Sequence, residues 1–594
     1  MARSLQDKLR HLLAHERFVF VALALGLALT APSITSGLGA DDHIQRFWVH
    51  ELGRCLDMFT FADGRPEALR MQKSSGSLPY WADDEMKISF FRPLASISHC
   101  ADYRYLDDYP ALMHLQNLAW FALVIALGFF FYRRVLGASV AAGLATLFFA
   151  VDEGNGKVAG WIANRNLLMV LTFGLLTFLL HDRARRQGSR KAAWGAVSTF
   201  ALGLVSGEAA IATLAYLVAY ALFLDEGAWK ARLRSLIPYV LVLVPWQLVY
   251  RHLGHGQVGS ALYTNPLADP LTFAARVVER APILLLSLFG GPPSDPYPLV
   301  DAEDRRLWWF VAVVILAIVA LFLAPLVRKS REARFFAVSL ALAIVPPCGV
   351  FPGDRVLMFA SLGTMGLIAC FVSDAFQRAT EGSRLANGLT KGLAGLLTFA
   401  HGIVAPIHQP IRSVEIARIE QFIASQRPSL FHETQRGDVV LALTAGENLY
   451  TCTSATVQAR RQGQASYALC LAATTKPISV VRMDAKRLVL RAEEGLFNPL
   501  KEPFWNADKP WRRGDRIDLG WVRITIGDVT ESGIPREAAF HIHRDIDDPA
   551  VHLRYLNTTQ TLYEDAPVLP VGGKLVIENG QVTTFEEPRA RRAE

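Results

Sequence analysis

The strongest constraint on this chain is a series of apolar runs separated by short basic loops. The first run, Phe18 to Ala40 (FVFVALALGLALTAPSITSGLGA), carries no charge over more than twenty residues. At 1.5 Å per residue, that is about the length a helix needs to cross ~30 Å of hydrocarbon. Further runs near 111–131, 138–151, 165–180, 192–206, 209–224, 235–250, 307–327, 335–349, 356–374 and 391–407 bring the expected spans to eleven. With 52% hydrophobic and 19% charged residues over 594 positions, the chain reads as a polytopic α-helical membrane protein. Several runs are shorter than twenty residues, which helices buried within a bundle tolerate. Phe273–Phe289 is also apolar, but counting it as a span would put the basic RKSREAR (328–334) on the wrong face. It is therefore expected to be an interfacial or re-entrant helix.

The net charge of +7 superficially suits a nucleic-acid binder, yet Lys and Arg gather in the loops between apolar runs. That pattern orients membrane helices and gives no reason to expect nucleic acid as a partner. Basic segments at 1–17, 132–134, 181–191, 229–234, 328–334 and 378–391 are expected on the cytoplasmic side. Loops 41–110, 152–164, 206–208, 251–306 and 346–355, and everything after about 410, then face outward. The first run is long and lacks a clear small-residue cleavage site, so it is expected to be retained as a span. The expected domains are a transmembrane domain, 1–410, with outer loops 41–110 and 251–306, and an outer-face soluble domain, 411–594. The second is expected to be mainly β. Runs at 439–444, 466–472, 478–483, 488–491, 516–526, 538–543 and 574–578 read as strands separated by Gly, Pro and Asp turns. An accessory role is expected for it.

Asp41 and Asp42 follow directly on the first run, where a helix should emerge into water. Carboxylates at such a boundary serve as a base, as metal ligands or as a helix stop. The next residues, Asp42–Asp57, place Ile44, Phe47, Trp48 and Leu52 at helical spacing, so an interfacial helix is expected; a second such region runs from Phe90 to Pro110. About seventy residues between two spans is long for a structureless loop and points to function. Cys55 and Cys100 share this loop, and Cys452 and Cys470 share the C-terminal domain. Either pair could form a disulfide in an oxidising compartment, whereas Cys348 and Cys370 are expected to be free.

Several stretches together carry a resemblance. They are the acidic pair after the first span, Arg92-Pro93-Leu94, DYRYLDDYPALMHLQNL (102–118), LFFAVDEGNGKVAGWIANRNLL (147–168), Ser206-Gly207-Glu208, ALYTNPLADPLTF (261–273) and GDRVLMFASLGTMGLI (353–368). In order and spacing, residues 18–375 resemble the GT-C superfamily of membrane glycosyltransferases, nearest to the protein O-mannosyltransferase-like proteins and their bacterial relatives. The resemblance implies an enzyme that moves a hexosyl or pentosyl group from a polyprenyl-phosphate donor to a protein, lipid or glycan hydroxyl on the outer face, with inversion. It also implies a bacterial inner membrane, a cytoplasmic N-terminus and an extracytoplasmic C-terminal domain.

Such a transfer needs a carboxylate to take the acceptor proton, and Asp42 or Asp41 is the candidate, Asp42 slightly ahead. Adjacent carboxylates raise one another's pKa. A cation is also needed for the departing lipid phosphate: Arg355 fits best, then Arg92 and Arg165. Asp152, Glu153 and Glu208 are candidates for the acceptor or the cavity. No cofactor is specified, the metal ligands are unknown, and a divalent cation is left open. One departure stands out, because Lys157 occupies a place where relatives carry an acid; the acid's role is then moved to Asp152 and Glu153, or lost. The alternative function is a transporter or flippase of a lipid-linked glycan, or a non-catalytic scaffold. A transporter would concentrate ionisable groups in mid-span, and here they gather at the outer ends of spans. His252 and His255 have ligand-like spacing, but Gly254 and Gly256 break the helix and no third ligand is near.

Overall fold

Each apolar run expected to span becomes helical in the computed structural model. The structure describes all residues except Met1, Ala261, 378–383, 447–451, Ser454, Gln458, 460–466, Leu500, Pro503 and 587–594, and the side chains of 2–6. Part of the expected basic segment 378–391, the start of the 261–273 segment and Ser466, expected to open a strand, lie outside the described residues.

Among the described residues, seven helices are long and apolar enough to cross a membrane. They are Phe18–Thr35, Pro110–Leu136, Ile162–Gln187, Trp229–His252, Ala302–Lys329, Asp354–Gln377 and Arg384–Ser413. The chain is an integral membrane protein. The other four expected spans are shorter helices: Val140–Ala150, Arg190–Ser206, Thr213–Phe223 and Arg331–Ala343. Length is the reason for the difference, since 11 or 13 residues rise only ~16–20 Å. Local chemistry fixes several boundaries. The hydroxyls of Ser139, Ser189 and Ser330 accept from Ala142, Ala192 and Ala333 backbone N–H groups and start three of these helices. Pro270–Leu288, the expected interfacial helix, carries Arg276, Glu279 and Arg280 and is not among the seven. Its Arg280 is buried and donates to the carbonyls of Cys348 and Val350 at 3.1 and 2.7 Å.

The chain divides into two compact units. The first comprises Met1–Thr60, Phe90–Gly256 and Thr264–Arg418; the second comprises Phe61–Ser89, Gln257–Tyr263 and Ile419–Glu594. The expected boundary near 410 therefore shifts to 418, and the middle of the first outer loop leaves the first unit. Burial explains why. Tyr80 and Trp81 are part of the second unit's core, where Trp81 stacks on Phe497 at 4.9 Å and Tyr80 meets Phe540 edge-on at 5.6 Å. Large aromatic side chains contribute most of the stabilisation by burial, so they carry their segment with them.

The first unit's core is aromatic at its centre, with Phe131, Phe178, Tyr216, Phe335 and Phe336 in mutual contact. A short helix, Glu153–Gly160, packs directly on the backbone at the end of the last span. A Cβ at Gly156 would lie 2.7 Å from the Gln409 carbonyl, and one at Gly160 would overlap Ser413. These two glycines set the depth of the site described below.

The second unit holds three sheets. Strands β1 (Thr60–Asp63), β2 (Lys87–Ser89) and β3 (Gly256–Val258) form one in that order. The remaining strands are β4 (Val439–Ala442), β5 (Tyr467–Cys470), β6 (Ile478–Asp484), β7 (Arg487–Arg491), β8 (Arg516–Asp518), β9 (Val522–Ile526), β10 (Glu537–Ile542), β11 (Val551–Asn557), β12 (Leu562–Asp565), β13 (Lys574–Glu578) and β14 (Gln581–Glu586). Seven make a sheet of order β14-β13-β6-β7-β10-β9-β8, and four make β12-β11-β4-β5. The expected single strand 516–526 is two, because Gly520 at φ +88° turns the chain between β8 and β9. The four-stranded sheet is mixed: β4 pairs parallel with both β5 and β11.

Candidate active site at the end of the first span

The first span ends in a 3₁₀ turn, Ala31–Thr35. The chain then bends at Gly37 (φ +73°) and Ala40 (φ +50°) and starts a new helix, Asp41–Leu52. Asp41 and Asp42 therefore open the expected interfacial helix instead of closing the span. Their side chains do different work. Asp42 is 1% exposed, and its two oxygens accept from the backbone N–H groups of Gly39 at 3.0 Å and Ala163 at 2.8 Å. Burial pushes its pKa up to about 7, against the pull of those two bonds. Both oxygens hold backbone in place, so Asp42 acts as a clamp between the helix start and the turn at Ile162–Asn164.

Asp41 is half-buried and has no hydrogen-bond or ion-pair partner among the described residues. Burial raises its pKa, and the cations that act on it in opposition are Arg355 and Arg92. Of the two, the carboxylate left free to take a new partner is Asp41, the one the sequence placed second.

The three candidate arginines also separate. Arg355 lies on the 3₁₀ turn Asp354–Leu357, with its guanidinium 5.0 Å from the Trp161 ring centroid and no hydrogen bond or ion pair among the described residues. Arg92 lies over Phe90 and Phe59 at 4.3 and 4.9 Å and donates through Nε to Glu208 at 2.8 Å, leaving its two terminal nitrogens unpartnered among the described residues. The other Glu208 oxygen is buried without a partner. Arg165 has no exposed surface. It donates to Asn117 at 2.7 Å, Ser98 at 2.8 Å and the Met113 carbonyl at 3.1 Å, and pairs with Asp102 at 2.5 Å. Fully engaged and out of reach, Arg165 holds the bundle together and is not placed to meet a phosphate. Two guanidiniums with N–H groups unpartnered among the described residues act electrostatically on one carboxylate that is also unpartnered among them, a combination that can hold an anion and take a proton.

Glu153–Gly160 connects this site to a cavity of about 450 Å³. At the helix's far end Trp161 carries Arg355; at its start Asp152 and Glu153 line the cavity. Asp152 caps the helix by accepting from Gly154 N–H at 2.9 Å and also accepts from the Ser361 hydroxyl. Burial lifts Asp152 to about 6 and Glu153 to about 7, with their mutual repulsion adding to the Glu153 shift. Glu153 lies 3.3 Å from His408.

Lys157 has a structural explanation. Its Nζ donates to Asp295 and Glu415, both at 2.7 Å, and Arg412 reaches Glu415 at 2.6 Å, Asp354 at 3.1 Å and Asp295. Burial would raise the Asp295 pKa, but Lys157 and Arg412 together hold it well below its ordinary value. Two cations against three carboxylates tie Glu153–Gly160 to the loop at 295 and to the end of the last span. Asp295, Arg412 and Glu415 carry no local signal in the sequence, whereas Asp354 could have been read as the acidic neighbour of Arg355. Among the described residues, no three His, Cys, Asp or Glu side chains are grouped to hold a metal ion.

No protein-family model and no curated protein sequence matches the chain. Among solved structures it is similar to ArnT from Cupriavidus metallidurans bound to undecaprenyl phosphate, at 11% identity and TM-score 0.39, over 75% of this chain and 85% of that one. The apo state of the same ArnT matches at 11% identity and TM-score 0.40, over 74% and 84%. The oligosaccharyltransferase of Archaeoglobus fulgidus, tethered to an acceptor peptide containing the NVT sequon, matches at 12% identity and TM-score 0.39, over 76% and 64%.

Proposed function

We propose that this protein is a GT-C-type glycosyltransferase. It takes a sugar from a polyprenyl-phosphate donor and passes it, with inversion, to an acceptor hydroxyl on the outer face. The observation that carries this reading is Asp41, an unpartnered carboxylate at the end of an apolar span, opposed by the unpartnered Arg355 and the half-engaged Arg92. In the step, the acceptor oxygen bonds to the anomeric carbon as that carbon's bond to the phosphate oxygen breaks. The acceptor proton passes to Asp41, and the electron pair stays on the polyprenyl phosphate. Arg355 and Arg92 offset the charge that grows there, as fixed donors do for a departing oxyanion. Asp42 positions Asp41 through the backbone; Glu208 orients Arg92; Asp152 and Glu153 lie on the acceptor side.

The chain sits in a bacterial inner membrane with its N-terminus in the cytoplasm. The disulfides Cys55–Cys100 and Cys452–Cys470 support an oxidising outer compartment for the first loop and the C-terminal unit. The test is transfer of label from a panel of polyprenyl-phosphate hexoses and pentoses by purified protein in nanodiscs, with the product anomer determined. Transfer with inversion by wild type, abolished in Asp41→Asn, supports the reading. Failure of every donor, or full transfer by Asp41→Asn, overturns it.

A further inference from the structure

The last span contains a π-helical segment, Ala400–Val404, inside the helical stretch Arg384–Ser413. Such bulges are frequent at functional sites. Here the bulge brings His401 to the cavity wall. His401 is 4% exposed, and its Nε2 has no hydrogen-bond partner among the described residues. Roughly 16 Å of helix separate it from Arg412 at the outer end. An unpaired imidazole at that depth is costly unless something satisfies it.

The surrounding chemistry narrows what that can be. Arg412, the one Lys or Arg among the described lining residues, has both terminal nitrogens engaged by Asp295, Asp354 and Glu415 and only a buried Nε left over, so its charge is already answered by three carboxylates. Both Asp152 oxygens already accept hydrogen bonds, one Glu153 oxygen lies 3.3 Å from His408, and among the described residues no three His, Cys, Asp or Glu side chains are grouped to hold a metal ion. What fits is a group that both donates and accepts, carried on an apolar body that lies against Leu288, Met358, Met365 and Val404. A volume of about 450 Å³ is within the range of small-ligand sites.

We infer that this cavity binds the hydroxylated head of a neutral amphiphile, with His401 and Glu153 as its polar contacts. The site does not depend on the transferase reading; if sugar transfer occurs, it is a place for part of the acceptor. The test uses a diazirine-bearing alkyl glucoside cross-linked to wild-type protein in nanodiscs, with the labelled peptides mapped by mass spectrometry. Label is expected within 287–293 and 400–412, competed by octyl glucoside and not by octyl phosphate or octylammonium. His401→Leu should reduce it at least fivefold, and Ala405→Phe, which fills the cavity from the next turn of the same helix, should do the same. Label elsewhere, competition by the charged amphiphiles as strong as by the glucoside, or label unchanged in both variants overturns the inference. If the variants do not fold, the wild-type competition series decides alone.

Discussion

Substituting the arginines one at a time separates a structural cation from a phosphate-binding one. In Arg165→Met, the Asp102 carboxyl, itself 2% exposed as a side chain, loses its 2.5 Å partner, and Asn117 and Ser98 lose a donor. Breaking a buried ion pair from one side costs about 3–5 kcal/mol. At about 2 °C per kcal/mol for a large cooperative unit, that is a fall of roughly 6–10 °C in the unfolding midpoint. Arg355→Gln should behave in the opposite way. Among the described residues its guanidinium makes no hydrogen bond or ion pair and lies over the Trp161 ring, a cation–π contact of about 0.5–1 kcal/mol, so the midpoint should move by no more than roughly 2 °C. Losing a charge-assisted bond to the donor phosphate, about 1.5–3 kcal/mol, should instead weaken polyprenyl phosphate binding roughly 10- to 150-fold. Thermal unfolding by tryptophan fluorescence and polyprenyl phosphate binding by scintillation proximity, on the same nanodisc samples, read both effects. An Arg165 variant that unfolds normally yet loses the ligand, or an Arg355 variant that unfolds early and binds normally, refutes the assignment of roles.

Other perturbations test the neighbouring structure. Lys157→Met should lower stability by about 3–5 kcal/mol through the unbalanced Asp295 and Glu415, and Lys157→Glu, which adds a carboxylate beside them, by more; unfolding midpoints of the two variants check the order. Asp42 stays protonated in the folded protein up to about 7, whereas in the unfolded chain it ionises near 3.8. Its contribution to stability is therefore lost as pH rises through that window, and Asp42→Asn should flatten part of the fall in midpoint measured between pH 4 and 7. Because the Asp41 pKa is raised and the base must be ionised, single-turnover transfer should climb with pH beyond the ordinary carboxylate range, and a rate flat from pH 4 upward would contradict it. Cys100→Ser should cost about 4 kcal/mol by the chain-entropy estimate for a 45-residue separation, visible as an earlier midpoint under otherwise oxidising conditions.

How far the sequence could be read depended on whether its signals were local. Apolar runs, the helix after Asp41 and the strands from Ile478 to Ile542 were legible because period and turn residues act within a few positions. The seven long helices against eleven expected spans show the limit: Val140–Ala150 and Thr213–Phe223 are apolar enough, but composition does not tell a short bundle helix from a complete crossing. Strands β12 and β14 lie at sheet edges and are largely polar, and in β11 His552 and Arg554 interrupt the apolar pattern, while nothing local marks Tyr80 and Trp81 as core residues of the second unit. At the site, residue types were legible and roles were not. Asp41 and Asp42 are chemically identical in sequence, and only Gly39 and Ala163, the latter over a hundred residues away, decide which one is occupied. Lys157 looked like a lost acid because its partners Asp295 and Glu415 are distant in the chain.

The central claim is that Asp41, and not Asp42, takes the acceptor proton. It is tested most directly by single-turnover transfer from a polyprenyl-phosphate sugar at saturating donor, with Asp41→Asn and Asp42→Asn measured beside wild type and donor binding followed in parallel. The account predicts that Asp41→Asn binds donor normally and loses transfer by at least 10²-fold, on the order of a missing general base, while Asp42→Asn retains measurable transfer at reduced stability. Transfer retained in Asp41→Asn and abolished in a folded Asp42→Asn would contradict it.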